Sequence, residues 1–325
     1  MNKNRLVYFN GKFVEEKEAR VSIYDSALMF GDMVFEMTRS FNKKQFKLRE
    51  HIERLLIGVK ILEIPLKENL EKLLELCEET VKINEPFFDH NDEHRLIINV
   101  SRGPLGIYAP IFNNNIEPTV IIADFPLKWT VASMGELFDS GIDLKVSSQR
   151  AIPSRYMDPK IKNRSRMWYQ MANIEVSRME GNKNWAIMLD DDGFITEGTG
   201  CNFFIVNDKE IVSPEGRNIL RGISRDYIFE LAKELGLNCV ERNIEPYDVY
   251  KCTEAFITAT PFCILPVASF NNYKIKEGKM GKITKILLEQ WSKNVGINII
   301  DQIKGYQTEV TEYQKSHTSI YQFRK

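Results

Sequence analysis

An α+β architecture in two domains is expected from the way apolar runs are distributed. Strand-like and helix-like segments fall in separate blocks, with few alternating βα units, which argues against a doubly wound sheet. The chain has 325 residues, a length that suits two domains or one large one with a substantial core. The local composition also changes near 126–140, in PLKWTVASMGELFDSG, and this stretch is read as the connection. The expected division is a small N-terminal α/β domain at 1–128, a larger domain at 129–300 and a polar tail at 301–325.

The opening LVYFNGKFVEE places Asn10-Gly11 between two apolar runs, a strong hairpin signal. An apolar segment then runs through Arg39, followed by a turn at Asn42-Lys43-Lys44 and a short strand around Phe46–Leu48. Leu55, Leu56, Val59, Ile61 and Leu62 recur at helical spacing and predict a helix over 50–63. A second helix, 67–83, follows Pro65, with Leu70, Leu73, Leu74, Cys77 and Val81 on its inner stripe. HRLIINVSRG and PTVIIADF read as strands on either side of a Pro/Gly/Asn-rich loop at 103–117, so the first half is expected to hold four strands plus helices.

The second half opens with strand IDLKVSSQ and a helix near 165–180. A meander follows: NWAIMLD, a turn at Asp191-Asp192-Gly193, FITEGTG, CNFFIV, a turn at Asn207-Asp208, and EIVSP. A helix over 223–235, strand CVERNI, a short helix near 246–250, strands EAFITAT and CILPVASF, and a helix over 281–293 complete the pattern. There is no fixed-period repeat.

Composition narrows the function. With 44 basic and 45 acidic residues the net charge is −1, against the basic surplus of a sequence-independent nucleic-acid binder. No run approaches the roughly 18 apolar residues of a membrane span, and the first residues carry no apolar core of signal-peptide length. The five cysteines show no CxxC spacing and the four histidines no paired ligand spacing. Buried thiols in a reducing, cytoplasmic setting are therefore expected, without a metal site.

Several segments carry potential chemistry. KIKNRSR (160–166) crowds four cations ahead of a half-apolar helix, where they oppose the helix dipole. A solvated helix start is the bland reading. The sharper one makes Lys162 a nucleophile, its proton loosened by Arg164 and Arg166. Glu197, in ITEGTGCN, precedes glycines that allow close backbone approach to a ligand, or is a hairpin carboxylate. In LRGISRD, Gly222 ends a loop and the amides of Ile223 and Ser224 open a helix. That is an anion site, unless Ser224 is simply an N-cap. Thr258 and Thr260 sit at the end of a strand. Arg54 lies at helical spacing from His51. An amine, a carboxylate, an arginine and a helix-terminus phosphate site are together what pyridoxal phosphate requires.

Six segments in order, YDSALMFGDMVFEMTR, FKLREHIERL, KNRSR, LDDDGFITEGTGCNFFIV, ILRGISRDYIFELAKELG and EAFITATPFCILPV, make the chain resemble a fold-type IV pyridoxal-phosphate enzyme of the class-IV aminotransferase family. That family includes branched-chain and D-amino-acid aminotransferases and aminodeoxychorismate lyase, and the resemblance runs from about residue 5 to 295. It implies two domains with pyridoxal 5′-phosphate in the cleft, and a homodimer in which a partner loop completes each site. It implies that Lys162 forms the imine with the cofactor and acts as general base. Lys160 competes, but its spacing to the next helix and to Glu197 fits less well. Glu197 is implied to hold the pyridine nitrogen, and Arg54, Ile223, Ser224 and Thr260 to hold the phosphate.

Departures from the family pattern bear on substrate. Ser165-Arg166 stands where branched-chain enzymes usually have Asn-Tyr, so Arg166 is expected to face cofactor or substrate. Gly106-Ile107-Tyr108 replaces the Arg-x-His of D-amino-acid enzymes. Arg39 and Arg95 match active-site arginine positions, while Phe30 replaces a tyrosine and Met37 a glycine. Phe30, Arg39, Arg95 and Tyr108 are the expected substrate contacts. The resulting expectation is transamination between an amino acid, branched-chain-like, and a 2-oxo acid. The rivals are an aminodeoxychorismate lyase-like enzyme and a non-catalytic binding protein on the same fold.

Overall fold

Asn10 and Gly11 take φ of 46° and 86°, the doubly left-handed backbone of a type I′ turn, which matches the twist of the strands it joins. Those strands are β1 (Leu6–Phe9) and β2 (Lys12–Glu15). The chain continues through α1 (Ser26–Phe30), β3 (Met33–Met37), β4 (Ser40–Phe41), β5 (Lys44–Gln45), α2 (Leu48–Ile61), α3 (Leu70–Asn84), β6 (His94–Ser101) and β7 (Thr119–Pro126). The computed structural model describes residues 4–208 and 210–307.

Five strands, one more than expected, form an antiparallel sheet in the order β2-β1-β7-β6-β3. One face carries Val34, Leu96, Ile98, Val100, Val120 and Ile122, all buried against Ile52, Leu55 and Val59 of α2 and Leu73, Leu76 and Cys77 of α3. Period-two strands and period-3.6 helices thus supply matching apolar faces. The strand expected around Phe46–Leu48 is corrected. Asn42 and Lys43 take φ of 49° and 65°, closing the β4–β5 hairpin earlier, so the second strand falls at Lys44–Gln45 and Leu48 already begins α2.

The other elements are the short α4 (Lys128–Val131) and α5 (Leu137–Ser140), then β8 (Ile142–Arg150), α6 (Met167–Ser177), β9 (Asn184–Leu189), β10 (Ile195–Gly198), β11 (Asn202–Asn207) and β12 (Glu210–Ser213). They end with α7 (Ile223–Glu234), β13 (Asn238–Glu241), α8 (Pro246–Lys251), β14 (Glu254–Ala259), β15 (Cys263–Phe270), β16 (Tyr273–Lys274), α9 (Lys282–Val295) and α10 (Ile299–Tyr306). The strands form one sheet along β10-β9-β8-β15-β14-β11-β12-β13, with β16 beside β15. A bridge between Gly198 and Cys201 brings β10 back to β11, so six strands close into a ring. Phe203, Ile257 and Leu265 lie across from one another on one face of β11, β14 and β15, and Phe204 and Phe256 on the other, all fully buried.

The chain divides into two compact units: Met1–Leu127 with Ile161–Arg166, and Lys128–Lys160 with Met167–Lys325. Residues 161–166, expected in the second domain, belong to the first because their backbone pairs with β3. Phe35 N donates to Lys162 O at 2.9 Å and Arg164 N to Met33 O at 2.9 Å. Residues 301–306, expected in a polar tail, finish α10, where Ile303 and Tyr306 are buried. The rest of that tail, 308–325, lies outside the described residues.

Candidate active site

In the first unit, β3 organises the chemistry on both of its faces. Lys162 is half-buried, and its Nζ lies 5.0 Å from the centre of the Phe35 ring. Arg164 Cζ sits 3.6 Å from the same ring centre and Arg166 Cζ 5.2 Å. Asn99, opposite Phe35 in the β3–β6 register, accepts from Arg164 Nε and Nη2 at 3.2 and 2.8 Å. Arg166 Nε donates to Asn163 O at 2.8 Å. The crowded cations are therefore gathered around one aromatic ring, a cation–π arrangement.

On the other face of β3 lies Glu36, with no exposed surface. Arg54 donates to it from Nε at 2.6 Å and from Nη2 at 2.8 Å, and His51 Nδ1 lies 2.7 Å from its Oε2. Burial alone would raise the Glu36 pKa, but Arg54 and then His51 outweigh it and hold the carboxyl well below the usual range. Burial pushes His51 below its ordinary value; Glu36 opposes that, and the charges of Arg54 and Lys162 add to it. Neutral His51 then donates Nδ1–H to the carboxylate.

The expected substrate contacts are spread through the same unit. Phe30 is 68 % exposed at the end of α1, and its carbonyl accepts from Ser165 Oγ at 2.8 Å. Arg39 is fully buried, with Cζ 3.8 Å from the Phe41 ring centre. Arg95 is buried on β6, 5.8 Å from Phe125 and within 3.7 Å of Met37 Sδ. Tyr108, in a 3₁₀ turn at Gly106–Phe112, stacks on Tyr24 at 4.6 Å.

In the second unit, Glu197 is buried on β10 and held by three donors. These are Tyr169 OH at 2.7 Å to Oε1, and Asn202 Nδ2 and Leu220 N, both at 3.1 Å to Oε2. Asn202 also donates to Leu220 O at 2.9 Å, which ties Glu197 to the turn that starts α7. The N-cap of α7 is Gly222, without a side-chain cap, so the reading of Ser224 as N-cap is corrected. Ile223 and Ser224 are instead first-turn residues whose amides have no intrahelical acceptor. Thr260 follows the end of β14. Thr258, directly opposite Asn202, has a buried Oγ1 with no hydrogen-bond partner. Lys160 belongs to this unit and is engaged by Asp158 at 2.8 Å and by Arg217 O at 3.3 Å.

Sequence reasoning missed Glu36, Phe35, Asn99, Tyr169 and Asn202. A charged residue at an inward position of MVFEM was a usable signal for Glu36, and His51 three residues before Arg54 was another. Nothing local marked Tyr169, whose role comes from the pairing of α6 with β10 through one hydrogen bond.

The mixed helix-and-sheet architecture is that of a transferase of fold type IV. The chain belongs to the class IV aminotransferases, whose sequence pattern (Amino-transferase class IV) matches residues 33–270. A Methanocaldococcus jannaschii protein, provisionally named a branched-chain-amino-acid aminotransferase, is 34% identical over 302 residues, 91% of this chain and 99% of that one. The Escherichia coli branched-chain amino acid aminotransferase structure matches with a TM-score of 0.78 at 28% identity, covering 90% of this chain and 94% of that one. The branched-chain aminotransferase of the archaeon Thermoproteus uzoniensis, solved with norvaline, matches with a TM-score of 0.77 at 27% identity, over 94% and 98%. Among the described residues no helix is long and apolar enough to cross a membrane.

Proposed function

We propose that this protein transfers an amino group from a branched-chain-like amino acid to a 2-oxo acid, using pyridoxal 5′-phosphate and Lys162. The observation that carries the reading is the placing of Lys162: its backbone is locked to β3, and its amine lies 5.0 Å from the centre of the Phe35 ring, around which Arg164 and Arg166 also gather. The residues also fit the cofactor. Glu197 is a buried carboxylate oriented by Tyr169, Asn202 and Leu220, the kind of acceptor that suits the N–H of a pyridinium. The open first turn of α7 and the orphaned Thr258 hydroxyl suit a phosphate.

When bound, pyridoxal phosphate supplies an aldehyde that links to amines and a ring that withdraws electrons. Lys162 Nζ would take the proton from the substrate Cα and deliver it to the cofactor's C4′. Glu197, oriented by Tyr169 and Asn202, holds the proton at the pyridine nitrogen. Arg54, the Ile223 and Ser224 amides and Thr260 oppose the phosphate. Arg39, Arg95 and Arg166 are the cations proposed for the substrate carboxylate, with Phe30 and Tyr108 lining its approach.

A homodimer is part of this reading. Ile23, Leu28, Phe30, Ile107 and Ile111 are all more than half exposed, in two segments joined by Ser26 N to Gly103 O at 2.9 Å. A patch of this kind calls for cover, and sedimentation should give a dimer. No disulfide links the five cysteines, in keeping with a cytoplasmic setting.

Borohydride fixation followed by peptide mapping tests the lysine. The label should fall on Lys162, and Lys162→Ala should lose the visible cofactor band and the exchange reaction, while Lys160→Ala keeps both. A label on residue 160 would sink the assignment. Turnover that needs no 2-oxo acid and releases pyruvate would turn the reading to a lyase.

A further inference from the structure

Glu36 is placed where chemistry, rather than packing, must explain it. Val34 and Glu36 share the helix-facing side of β3. Val34 opposes Val100 and Glu36 opposes Ile98, so an apolar residue at 36 would continue the core. Instead a carboxylate with no exposed surface stands there, at a desolvation cost that an apolar replacement would avoid. Its partners come from one face of α2: His51 and Arg54 are three residues apart. Together they engage both carboxylate oxygens at 2.6 to 2.8 Å.

The pairing with Arg54 is bidentate and uses Nε and Nη2. Two parallel bonds to one edge fix the plane of a guanidinium as well as its position. His51 restrains the carboxylate in turn, and its Nε2 is buried without a hydrogen-bond partner. The ring is held by the Glu36 contact and by packing, not by a second hydrogen bond. A chain of three residues, His51 to Glu36 to Arg54, thus runs from the core to an arginine whose side chain is 12% exposed.

We propose that Glu36 and His51 are positioning residues for Arg54, fixing its guanidinium to receive the cofactor phosphate. This rests on the reading of Arg54 as a phosphate partner. Charge alone argues the other way, which makes the idea testable by sign. Glu36 contributes one negative charge next to Arg54, so removing it leaves the cluster more positive. If attraction governed, Glu36→Gln would bind phosphate more tightly. If orientation governs, the same change loosens Arg54 and weakens phosphate recognition despite the gain in charge.

The experiment compares pyridoxal 5′-phosphate with pyridoxal, which lacks the phosphate, on full-length protein freed of cofactor. Affinities are read from fluorescence quenching and visible absorbance, independently of turnover. Wild type should prefer the phosphorylated form, and Arg54→Ala should collapse that preference. Glu36→Gln should lower the preference about ten- to hundred-fold, the range for a lost hydrogen bond to a charged group. Glu36→Asp should restore part of it. Combining Glu36→Gln with Arg54→Ala should add nothing beyond Arg54→Ala. An unchanged or increased preference in Glu36→Gln, with Arg54→Ala still collapsing it, overturns the positioning role alone. A preference intact in Arg54→Ala overturns the reading of Arg54 itself. Should Glu36→Gln fail to fold, His51→Leu, which removes the contact to Glu36 but leaves the Glu36–Arg54 pair in place, decides. A several-fold loss of preference supports the chain of contacts, and an unchanged preference refutes it.

Discussion

Gly222→Ala isolates the turn that joins Glu197 to the start of α7. Gly222 has φ −74° and ψ 136°, a conformation that alanine adopts without strain. Its cost is therefore steric. A Cβ at 222 would lie 2.1 Å from Asn202 Oδ1 and 3.4 Å from Arg225 Cβ. Asn202 cannot yield cheaply, because its Nδ2 holds both Glu197 and Leu220 O. Overpacking of this kind costs about 1–3 kcal/mol. Loss of the bond to the carboxylate would add about 1.5–3 kcal/mol. Reduced freedom of the unfolded chain returns only about 0.4–1 kcal/mol. For a unit of this size each kcal/mol moves Tm by about 2–4 °C, so a net loss of about 2–5 kcal/mol should lower it by roughly 5–15 °C in calorimetry. Adding Asn202→Ala removes the atom that is struck, so Gly222→Ala should cost almost nothing in that background. A Tm within a degree or so of wild type, or fully additive losses in the double mutant, would refute the account.

Three further outcomes follow from other contacts. His94 is buried between Asp124, 2.7 Å from its Nδ1, and Glu85 at its Nε2. Burial pulls its pKa down, but Asp124 and Glu85 outweigh that and hold it above the ordinary 6.5, while burial lifts Asp124 from 3.8 to about 6. Both groups bind protons more tightly when folded. Their stabilisation is therefore present at low pH and lost as pH rises, from about pH 4 to about pH 6 for Asp124 and above pH 6.5, through its raised value, for His94, so Tm should fall across that range. His94→Asn should flatten that profile, and an unaltered slope would count against the assignment. Tyr169→Phe removes a donor to Glu197; the urea midpoint should drop by the equivalent of about 1.5–3 kcal/mol at unchanged slope, and an unmoved midpoint would show that this bond contributes nothing. Gly11→Ala meets no atom within 4 Å but keeps φ at +86°, so any loss, about 1–2 kcal/mol, is backbone strain alone. A neutral result would mean the turn relaxes.

What could be read from the sequence was local. The hairpin at Asn10-Gly11, helices α2 and α3, and strand β15 over Cys263–Phe270 follow from turn chemistry and apolar period. The β4–β5 hairpin was misplaced because Lys43 takes the left-handed backbone that a β-carbon disfavours, and nothing in the sequence marks it. The beginning of α10 was hidden in a polar segment, where only Ile299, Ile303 and Tyr306 repeat at helical spacing. The site was legible as residue types in an order, not as contacts. Glu36 meets Arg54 only because β3 packs under α2, and Asn99 meets Arg164 only because the β3–β6 register sets it beside Phe35. Register is a property of the whole sheet, and no window of the sequence contains it.

The same register explains why substitutions at residue 162 are informative. Lys162 is tied to β3 through its carbonyl, which accepts from Phe35 N, while Asn163 forms the bridge with Val34 and Arg164 N reaches Met33 O. None of these bonds uses the lysine side chain, so alanine at 162 keeps the strand edge intact. Arg164 retains Phe35 and Asn99, and the position of the backbone does not depend on the amine. The fold has separated the placing of the lysine from its chemistry. A loss of exchange in Lys162→Ala that leaves Tm unchanged therefore reports on the amine itself.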